Sequence, residues 1–311
     1  MRGLTPAFEW HKQMFSLFSA SKQRQNLSPK QILLKRILGH QSLLIGGGLL
    51  LAIVLLAIFA PVLSPNDPYL PDLSNRMTPP VWHANGTWQH PFGTDGMGRD
   101  YLSRLLYGTR ISLIICFTCT LISGIIGTVL GILGGYFGGR VDLLVNALIT
   151  CRLSLPVILV AIAVVSLVGG SLKIVIIVLG LMLWNRFAVV MRSTTQQIMG
   201  QEYILAAKAV GASRLKIILS EILPNILNNV VIIATLEMAN ATLLEAALSF
   251  LGMGVQPPLP SWGLMVAEGK DQLLFNPWLI TIPGAAIFTL VLAINLVGDG
   301  VRDITAPEQR N

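Results

Sequence analysis

Charged residues are scarce in this sequence of 311 residues. Asp, Glu, Lys and Arg together make up 12% of it, whereas hydrophobic residues make up 53%. Mean hydropathy is +0.68. An ordinary soluble domain carries about 25% charged residues because its surface contacts water. The scarcity of charge excludes such a domain and indicates that lipid surrounds most of the chain.

Cysteine is also scarce, with three residues. Cys116 and Cys119 lie in one apolar run and Cys151 lies at the edge of another, so they indicate no extracellular disulfide framework. The Cys-x-x-Cys spacing matches metal and redox motifs, but the same run holds no histidine and no second cysteine pair. We therefore interpret these cysteines as packing residues and expect no metal site.

Sequence motifs for catalysis are missing as well. The Gly269-Lys270 pair is followed by Asp271, and Leu264 stands where a P-loop requires its first glycine. We recognise neither a nucleophile with its base nor a dinucleotide fingerprint. The sequence therefore predicts no catalytic residue and no cofactor bound by this chain.

Long apolar runs are what the sequence has in quantity. Residues 42–62 contain no charge and, at about 1.5 Å per residue, match a hydrocarbon core of about 30 Å. Further uncharged or nearly uncharged runs lie at 111–133, 153–169, 174–191, 225–250 and 278–298. The sequence predicts an all-α polytopic membrane protein with about six spans, a transmembrane domain at 42–303, an N-terminal segment at 1–41 and a tail at 304–311.

The distribution of Lys and Arg predicts the orientation of these spans. With the N-terminus inside, most of the 22 basic residues fall on the cytoplasmic side, as the positive-inside bias requires; examples are Lys35, Lys208, Arg214 and Arg302. We expect both termini in the cytoplasm and residues 63–110 and 252–277 outside. Residues 1–41 are too long and polar for a secretory leader and are expected to be retained. Because the net charge of +7 reports topology here, we expect no nucleic-acid partner.

Residues 193–224 separate the fourth and fifth predicted spans and are too many for a simple turn. Strong helix formers from Glu202 onward are followed by Gly211, which suits the left-handed end of a helix. Apolar residues then repeat three and four apart from Leu215 until Pro224. The pattern predicts two short helices with a bend, the second stopped by the proline.

Small side chains at Ala206, Ala207 and Gly211 would let another backbone or a bulky side chain approach this segment closely. That property is typical of an amphipathic helix lying in the groove of a partner. A helix lying on the membrane interface is the alternative, and periodicity alone does not separate the two.

Glu237 and Glu245 lie within the fifth predicted span, where charge is costly. They are about 80° apart around a helix, so both can face one side of it. For Glu245 we favour a structural pairing or cap near the outer interface. Glu237 either lines a pathway and attracts a cationic group such as a peptide amine, or pairs with Arg186 or Arg152.

Charged residues of alternating sign precede the second span: Asp95, Arg99, Asp100 and Arg104. Helical spacing would let Asp100 pair with Arg104 one turn later. A cluster of ion pairs that holds this segment in place is favoured over a substrate site. Glycines at 93, 96 and 98 predict a tight turn before the helix.

Four segments resemble permeases of binding-protein-dependent ABC importers. The loop reproduces the spacing of their EAA motif at Ala206-Ala207, Gly211 and Leu223-Pro224, although Leu205 replaces its Glu and Glu221 replaces an Ile. The dipeptide, oligopeptide and nickel branch resembles the sequence further at 90–100, 245–258 and 295–303. The matching positions in the first of these are Gly93, Thr94, Asp95, Gly98, Arg99 and Asp100. The resemblance covers roughly residues 61–307.

The resemblance implies a type I importer permease of the "C" kind, multi-pass in the bacterial inner membrane and not an enzyme by itself. It implies a heterodimer with a second homologous permease subunit, two ATP-binding subunits that hold ATP and Mg, and a periplasmic or lipid-anchored solute-binding protein. It places ATPase coupling at Ala206, Ala207, Gly211, Leu223 and Pro224. The candidate pathway or intramembrane polar positions are Glu237, from its place within a span, and Glu245, Asn295 and Asp299, which also lie in the resembling segments.

The implied cargo is a dipeptide or oligopeptide. Nickel, glutathione or an opine-like solute is the alternative cargo. A stand-alone secondary carrier and a membrane scaffold are rival functions; the carrier usually has inverted repeats, which we do not recognise, and the scaffold leaves the loop without a purpose.

Overall fold

The computed structural model describes residues 35–305, and most of these fold into α-helices. Predictions that concern residues 1–34 and 306–311 lie outside the described residues. The helices are, in chain order, α1 (Gln41–Leu63), α2 (Tyr101–Phe137), α3 (Gly139–Leu153), α4 (Val157–Val168), α5 (Leu172–Met182), α6 (Trp184–Met199), α7 (Glu202–Ala209), α8 (Arg214–Phe250), α9 (Trp262–Gly269) and α10 (Trp278–Thr305).

Five continuous helical stretches are long and apolar enough to cross a membrane: α1, α2, α5 with α6, α8 and α10. The third predicted span, 153–169, differs from this pattern. Its residues form the end of α3 and the short helix α4, and the two helices meet at 79°. Pro156 explains the break, because proline donates no backbone hydrogen bond and disfavours a helical residue before it.

Contacts at the helix ends show how many times the chain crosses the bundle. We call residues 64–100 the cap segment and the end of the bundle beside it the cap end. The Tyr101 hydroxyl donates to the Leu279 carbonyl at 2.6 Å, which places the starts of α2 and α10 together there. Ser166, at the end of α4, contacts the Met253 sulfur at 3.8 Å, just after α8 ends.

The opposite end, which we call the loop end, holds α7. Arg192 Nη2 lies 2.7 Å from Asp142 Oδ2 and joins the start of α3 to α6 near this end. The α3–α4 pair therefore runs from the loop end back to the cap end and makes one bent crossing, the third of six. His40 Nε2 lies 3.1 Å from Asp303 Oδ2, so α1 begins and α10 finishes at the same end of the bundle.

A stripe of glycines on α2 lets α6 pack against it closely. A Cβ atom at Gly127 would lie 2.5 Å from the Phe187 Cβ, and one at Gly131 would lie 2.7 Å from the Met191 Cβ. Such separations are shorter than real carbon contacts, so only glycine fits. Small residues at four-residue spacing commonly bring helices together in membranes, where packing replaces the hydrophobic effect as the driving force.

The helix α8 corrects one prediction, because Pro224 does not stop it. The chain is helical from Arg214 to Phe250, and a π-helical turn at Ile217–Ile222 directly precedes the proline. Leu223 donates its N–H to Ile218 at five-residue spacing. This shift in the hydrogen-bond ladder lets the helix pass a residue that has no N–H to donate. The second helix of the predicted loop is thus the start of the fifth crossing.

Candidate functional site

Gly211 ends the short helix α7 at the loop end. Its φ is +82°, the left-handed conformation that glycine adopts without strain. The Gly211 N–H donates to Lys208 and the Ala212 N–H donates to Ala207, both at 3.0 Å. A Cβ atom at Gly211 would meet nothing within 4 Å. This glycine therefore turns the chain toward α8 and leaves open space beside it.

Between α7 and the start of α8 lies a groove of about 380 Å³, which we call the loop groove. It is lined by Tyr203, Ala206, Ala207, Val210, Ala212, Lys216, Ile217 and Glu221. Val210 is 88% exposed, and Leu205, Leu215 and Leu219 are exposed nearby. Leu223 and Pro224 do not line this groove. The structure thus brings two of the five predicted coupling residues, Ala206 and Ala207, into one cavity.

A buried polar site, separate from the loop groove, lies within α8. The Glu237 side chain is 2% exposed, and its Oε1 lies 3.1 Å from Arg186 Nη1 on α6. Its Oε2 accepts from the Asn240 amide at 3.2 Å. Arg152 does not contact this carboxylate, and its Nε donates to the Met182 carbonyl at 2.5 Å. Of the alternatives for Glu237, the contacts show the pairing with Arg186.

Glu245 joins α8 to α9. Its Oε1 accepts hydrogen bonds from Ser249 at 2.8 Å and from Ser261 at 2.9 Å. Ser261 also caps α9 by accepting from the Leu264 N–H at 3.1 Å. A Cβ atom at Gly263 would lie 2.9 Å from Glu245 Oε2, so the two helices touch at this point. These contacts are those of a structural tie at the cap end.

The cap segment is tied to the helices by a cluster of buried ion pairs. Arg104, fully buried, lies 3.2 Å from Asp95 and 2.6 Å from Glu268. Arg99 lies 2.7 Å from Asp95 and 3.2 Å from Glu268. Two guanidinium groups thus share two carboxylates that come from different parts of the chain.

Asp100 does not pair with Arg104, which corrects the predicted one-turn pairing. It caps α2 instead, and its Oδ2 accepts from the Ser103 N–H at 2.8 Å and hydroxyl at 2.6 Å. Its Oδ1 lies 2.9 Å from His90 Nδ1. Because Asp100 precedes the first helical residue, its side chain turns back toward the free N–H groups of α2 rather than along the helix.

Tight backbone turns hold this motif together. Gly93 and Gly98 have φ of +77° and +75°, and a Cβ atom at either would collide with the carbonyl of Thr78 or Asp72. Thr94 is buried, and its hydroxyl donates to the Asn75 carbonyl at 2.5 Å. In the same segment, hydrogen bonds from the Ser74 hydroxyl and the Asn75 amide lower the pKa of Asp72. The motif at 90–100 is therefore a folded cap.

Comparison with known proteins decides the family. Residues 127–311 match the model described as "Binding-protein-dependent transport system inner membrane component", and residues 28–80 match "N-terminal TM domain of oligopeptide transport permease C". The first match spans more than half of the chain. This chain belongs to that permease family. The expected family, the all-α fold and the multi-pass inner-membrane location are thereby confirmed.

Relatives align with the permease over nearly its whole length. The "Di/tripeptide transport system permease protein DppC" of Pseudomonas aeruginosa is 39% identical and covers 85% of this chain and 88% of its own. The "Dipeptide transport system permease protein DppC" of Haemophilus influenzae is 37% identical and covers 86% of this chain and 91% of its own. A solved structure of the MetNI methionine ABC transporter in an inward-facing conformation has a TM-score of 0.54 and 21% sequence identity. The match covers 65% of this chain and 96% of the chain in that structure. That likeness shows the fold.

The remaining polar positions of the permease lie on α10. Asn295 is half-buried and Asp299 is exposed, whereas Gly298 and Gly300 beside them are buried. A Cβ atom at Gly300 would lie 2.6 Å from the Leu43 Cβ of α1. The glycines of this part of α10 thus pack closely against α1, whereas the Asp299 carboxylate faces outward.

Glu268 is the permease residue that sequence reasoning missed. It lies on the short helix α9 and pairs with Arg99 and Arg104, more than 160 residues earlier in the chain. Local sequence gave no direct signal: Arg99 and Arg104 are seen to be buried, and to need more negative charge than Asp95 supplies, only in the folded structure. Among the described residues, no group of three or more His, Cys, Asp and Glu is placed to hold a metal ion.

Proposed function

We propose that this permease forms one half of the translocation pathway of an ATP-driven importer of dipeptides or oligopeptides. A second homologous permease subunit forms the other half. Two separate subunits bind and hydrolyse ATP with Mg, and a periplasmic or lipid-anchored solute-binding protein delivers the cargo. The names of the two relatives, both identical to this chain at more than a third of aligned positions, support the peptide cargo. Nickel, glutathione and opine-like solutes are the alternatives.

The loop groove is the observation that carries the coupling part of this proposal. It presents small and apolar side chains at an end of the bundle that also carries Lys208, Arg214 and Lys216. An exposed apolar groove rimmed by basic residues is typical of a protein-protein contact. A partner that grips α7 and moves as a rigid body when ATP binds would rock the crossings that α7 connects.

The orientation of the bundle in the membrane is argued from the features of the loop end. The contact between His40 and Asp303 supports termini on one side. Because α7 and its basic neighbours lie at that end too, the positive-inside bias favours a cytoplasmic loop end. The cap segment and α9 then face the solute-binding protein.

Paired substitutions on α7 test the coupling surface. Ala206 and Ala209 are both exposed, but only Ala206 lines the loop groove among these two. Ala206→Glu should block the ATPase contact by bulk and charge, whereas Ala209→Glu adds the same side chain beside the groove. We expect Ala206→Glu to lower co-purification of the ATPase subunits and ATP-dependent dipeptide uptake by at least tenfold, with Ala209→Glu within about twofold of wild type.

Ala206 is a better probe than Gly211 because any side chain at φ +82° strains this chain's own backbone. Equal membrane levels of both variants are the control. If Ala206→Glu retains wild-type association and uptake, the ATPases do not dock in the loop groove. The interface-helix alternative for α7 would then stand.

A further inference from the structure

Arg186 is a half-exposed cation in the middle of a membrane-spanning bundle. Its partner Glu237 lies midway between Leu223 and Phe250, about 20 Å from either position at 1.5 Å per residue. The Arg186 side chain is nevertheless 55% exposed. A guanidinium at the centre of a bilayer costs several kcal/mol when it faces lipid. The surface that carries Arg186 therefore faces water or protein.

The exposed side of α6 carries mostly polar side chains toward the loop end, with Val189 as the apolar residue among them. Arg186, Ser193, Gln196 and Gln197 are all exposed on it, over about 16 Å. On the adjoining side of α8, Asn229 donates to Thr194 of α6 at 3.1 Å, and Asn225 and Asn240 lie on the same side of that helix. We call this surface the polar face.

The exposed side of α2 is different. It carries Phe117, Leu121, Ile125 and Val129 at four-residue spacing. Such a side suits lipid or an apolar partner helix. Val189 and Leu236 are also exposed on the polar face, but most of its exposed side chains are polar. The contrast with α2 favours the polar face as the lining of a wet pathway, because one ion pair at a subunit interface would not require the further exposed polar side chains of Ser193, Gln196 and Gln197.

Charge at the centre of the polar face is unbalanced. Arg186 is paired with Glu237, whereas Arg152 makes no ion pair among the described residues and donates to the Met182 carbonyl instead. Glu237 pairs with Arg186, accepts from Asn240 and is almost completely buried, so it is turned away from the pathway. The exposed part of the pair is the guanidinium. A guanidinium with free donors binds a carboxylate in fork geometry.

We propose that Arg186 is a cargo-binding residue of the pathway and that it binds the carboxylate of the peptide's C-terminus, with Glu237 holding it in position. This inference rests on the proposed peptide cargo. It differs from the alternative in which Glu237 itself attracts a peptide amine. The carboxylate orients the arginine, and the arginine contacts the cargo.

The test uses the complete transporter reconstituted with its solute-binding protein. Uptake of a tripeptide with a free C-terminus is compared with uptake of the same peptide amidated at that end. The quantity compared is the ratio of free-acid uptake to amide uptake. The same solute-binding protein serves wild type and variants, so its own preference for one peptide affects all these ratios equally. Arg186→Gln should lower uptake of the free-acid peptide by about tenfold or more, the loss expected for a charge-assisted hydrogen bond, and leave the amide within about twofold. Arg186→Lys should give a ratio of free-acid uptake to amide uptake between those of wild type and Arg186→Gln, since lysine keeps the positive charge but cannot form the two parallel hydrogen bonds of a guanidinium.

Arg140→Gln, at an exposed arginine that begins α3, is the matched control and should leave both peptides unchanged. Arg186→Gln leaves Glu237 unpaired and can lower the amount of folded complex. The double variant Arg186→Gln with Glu237→Gln removes both charges and should still fail to discriminate between the free-acid and the amidated peptide. A loss of both peptides by the same factor would overturn the inference and assign Arg186 to packing or to the second subunit. An unchanged ratio would overturn it too. If wild type transports neither peptide, it is the proposed cargo that fails.

Discussion

The Arg104 guanidinium and the Glu268 carboxylate meet at 2.6 Å, although one begins the second crossing and the other ends the short helix α9. Arg104 is fully buried, and Glu268 also contacts Arg99. The pair therefore fastens the cap segment, α2 and α9 into one unit at the cap end.

Removing the Glu268 charge should destabilise the permease. Glu268→Gln keeps the size of the side chain but leaves two buried guanidinium groups with Asp95 as their remaining carboxylate. We expect a loss of about 2 kcal/mol or more in the free energy of unfolding. Asp271→Asn, at an exposed carboxylate close by, should cost less than about 0.5 kcal/mol. Unfolding of both purified variants in detergent measures the difference, and equal stabilities would contradict the role of Glu268.

Adjacent glycines on α1 should respond in opposite ways to the same change. A Cβ atom at Gly46 would lie 2.6 Å from the Leu296 Cβ of α10, whereas one at Gly47 would meet nothing within 4 Å. Gly46→Ala should destabilise by about 1–3 kcal/mol through overpacking. Gly47→Ala should be neutral or stabilise by up to about 1 kcal/mol through helix propensity. Thermal unfolding of the two variants side by side checks this, and similar shifts for both would argue against the close packing of α1 on α10.

Glu245 should behave as a structural residue in transport assays. Glu245→Gln keeps an oxygen that accepts from Ser249 and Ser261, so uptake should stay within about twofold of wild type. Glu245→Ala removes the acceptor for the hydroxyl hydrogens of two buried serines and should cost roughly 2–4 kcal/mol of stability. Uptake is measured at matched membrane levels. A collapse of uptake in Glu245→Gln with normal stability would instead place this carboxylate in the pathway.

Labelling of single cysteines tests the orientation. On a Cys151→Ser background, which removes the exposed native thiol, Trp88→Cys lies in the cap segment and Val210→Cys lies beside the loop groove. A membrane-impermeant maleimide should label position 88 in cells whose inner membrane is intact, and position 210 only after that membrane is opened. The reverse pattern would invert the proposed topology.

Much of the fold was predictable because lipid imposes a simple requirement on sequence. Uncharged or nearly uncharged runs of sufficient length marked each crossing, and the observed helices contain or overlap all six. The bend before α4 and the passage of α8 through Pro224 were not predicted. Both depend on how a proline is accommodated: Pro156 breaks the helix, whereas a π turn before Pro224 lets it continue. Local sequence does not distinguish these outcomes.

The candidate site divides in the same way. Ala206 and Ala207, which line the loop groove, could be proposed from sequence because small residues beside a helix-ending glycine form a local pattern. Arg186 was one of two partners considered for Glu237, and selecting it required the packing of α6 on α8. Glu268 was missed because its partners lie far away in sequence, and the pairing of Asp100 with Arg104 was wrong because the helix begins between them. Long-range charge pairing is set by topology, which spacing alone does not encode.

ATP-dependent dipeptide uptake into proteoliposomes tests the central claim most directly. The permease is reconstituted with its second permease subunit and solute-binding protein, with or without the two ATPase subunits. The account predicts uptake only when the ATPases and ATP are both present, with Ala206→Glu reduced at least tenfold relative to Ala209→Glu. Uptake that persists without the ATPases, driven by an ion gradient alone, would contradict the account and identify a stand-alone carrier.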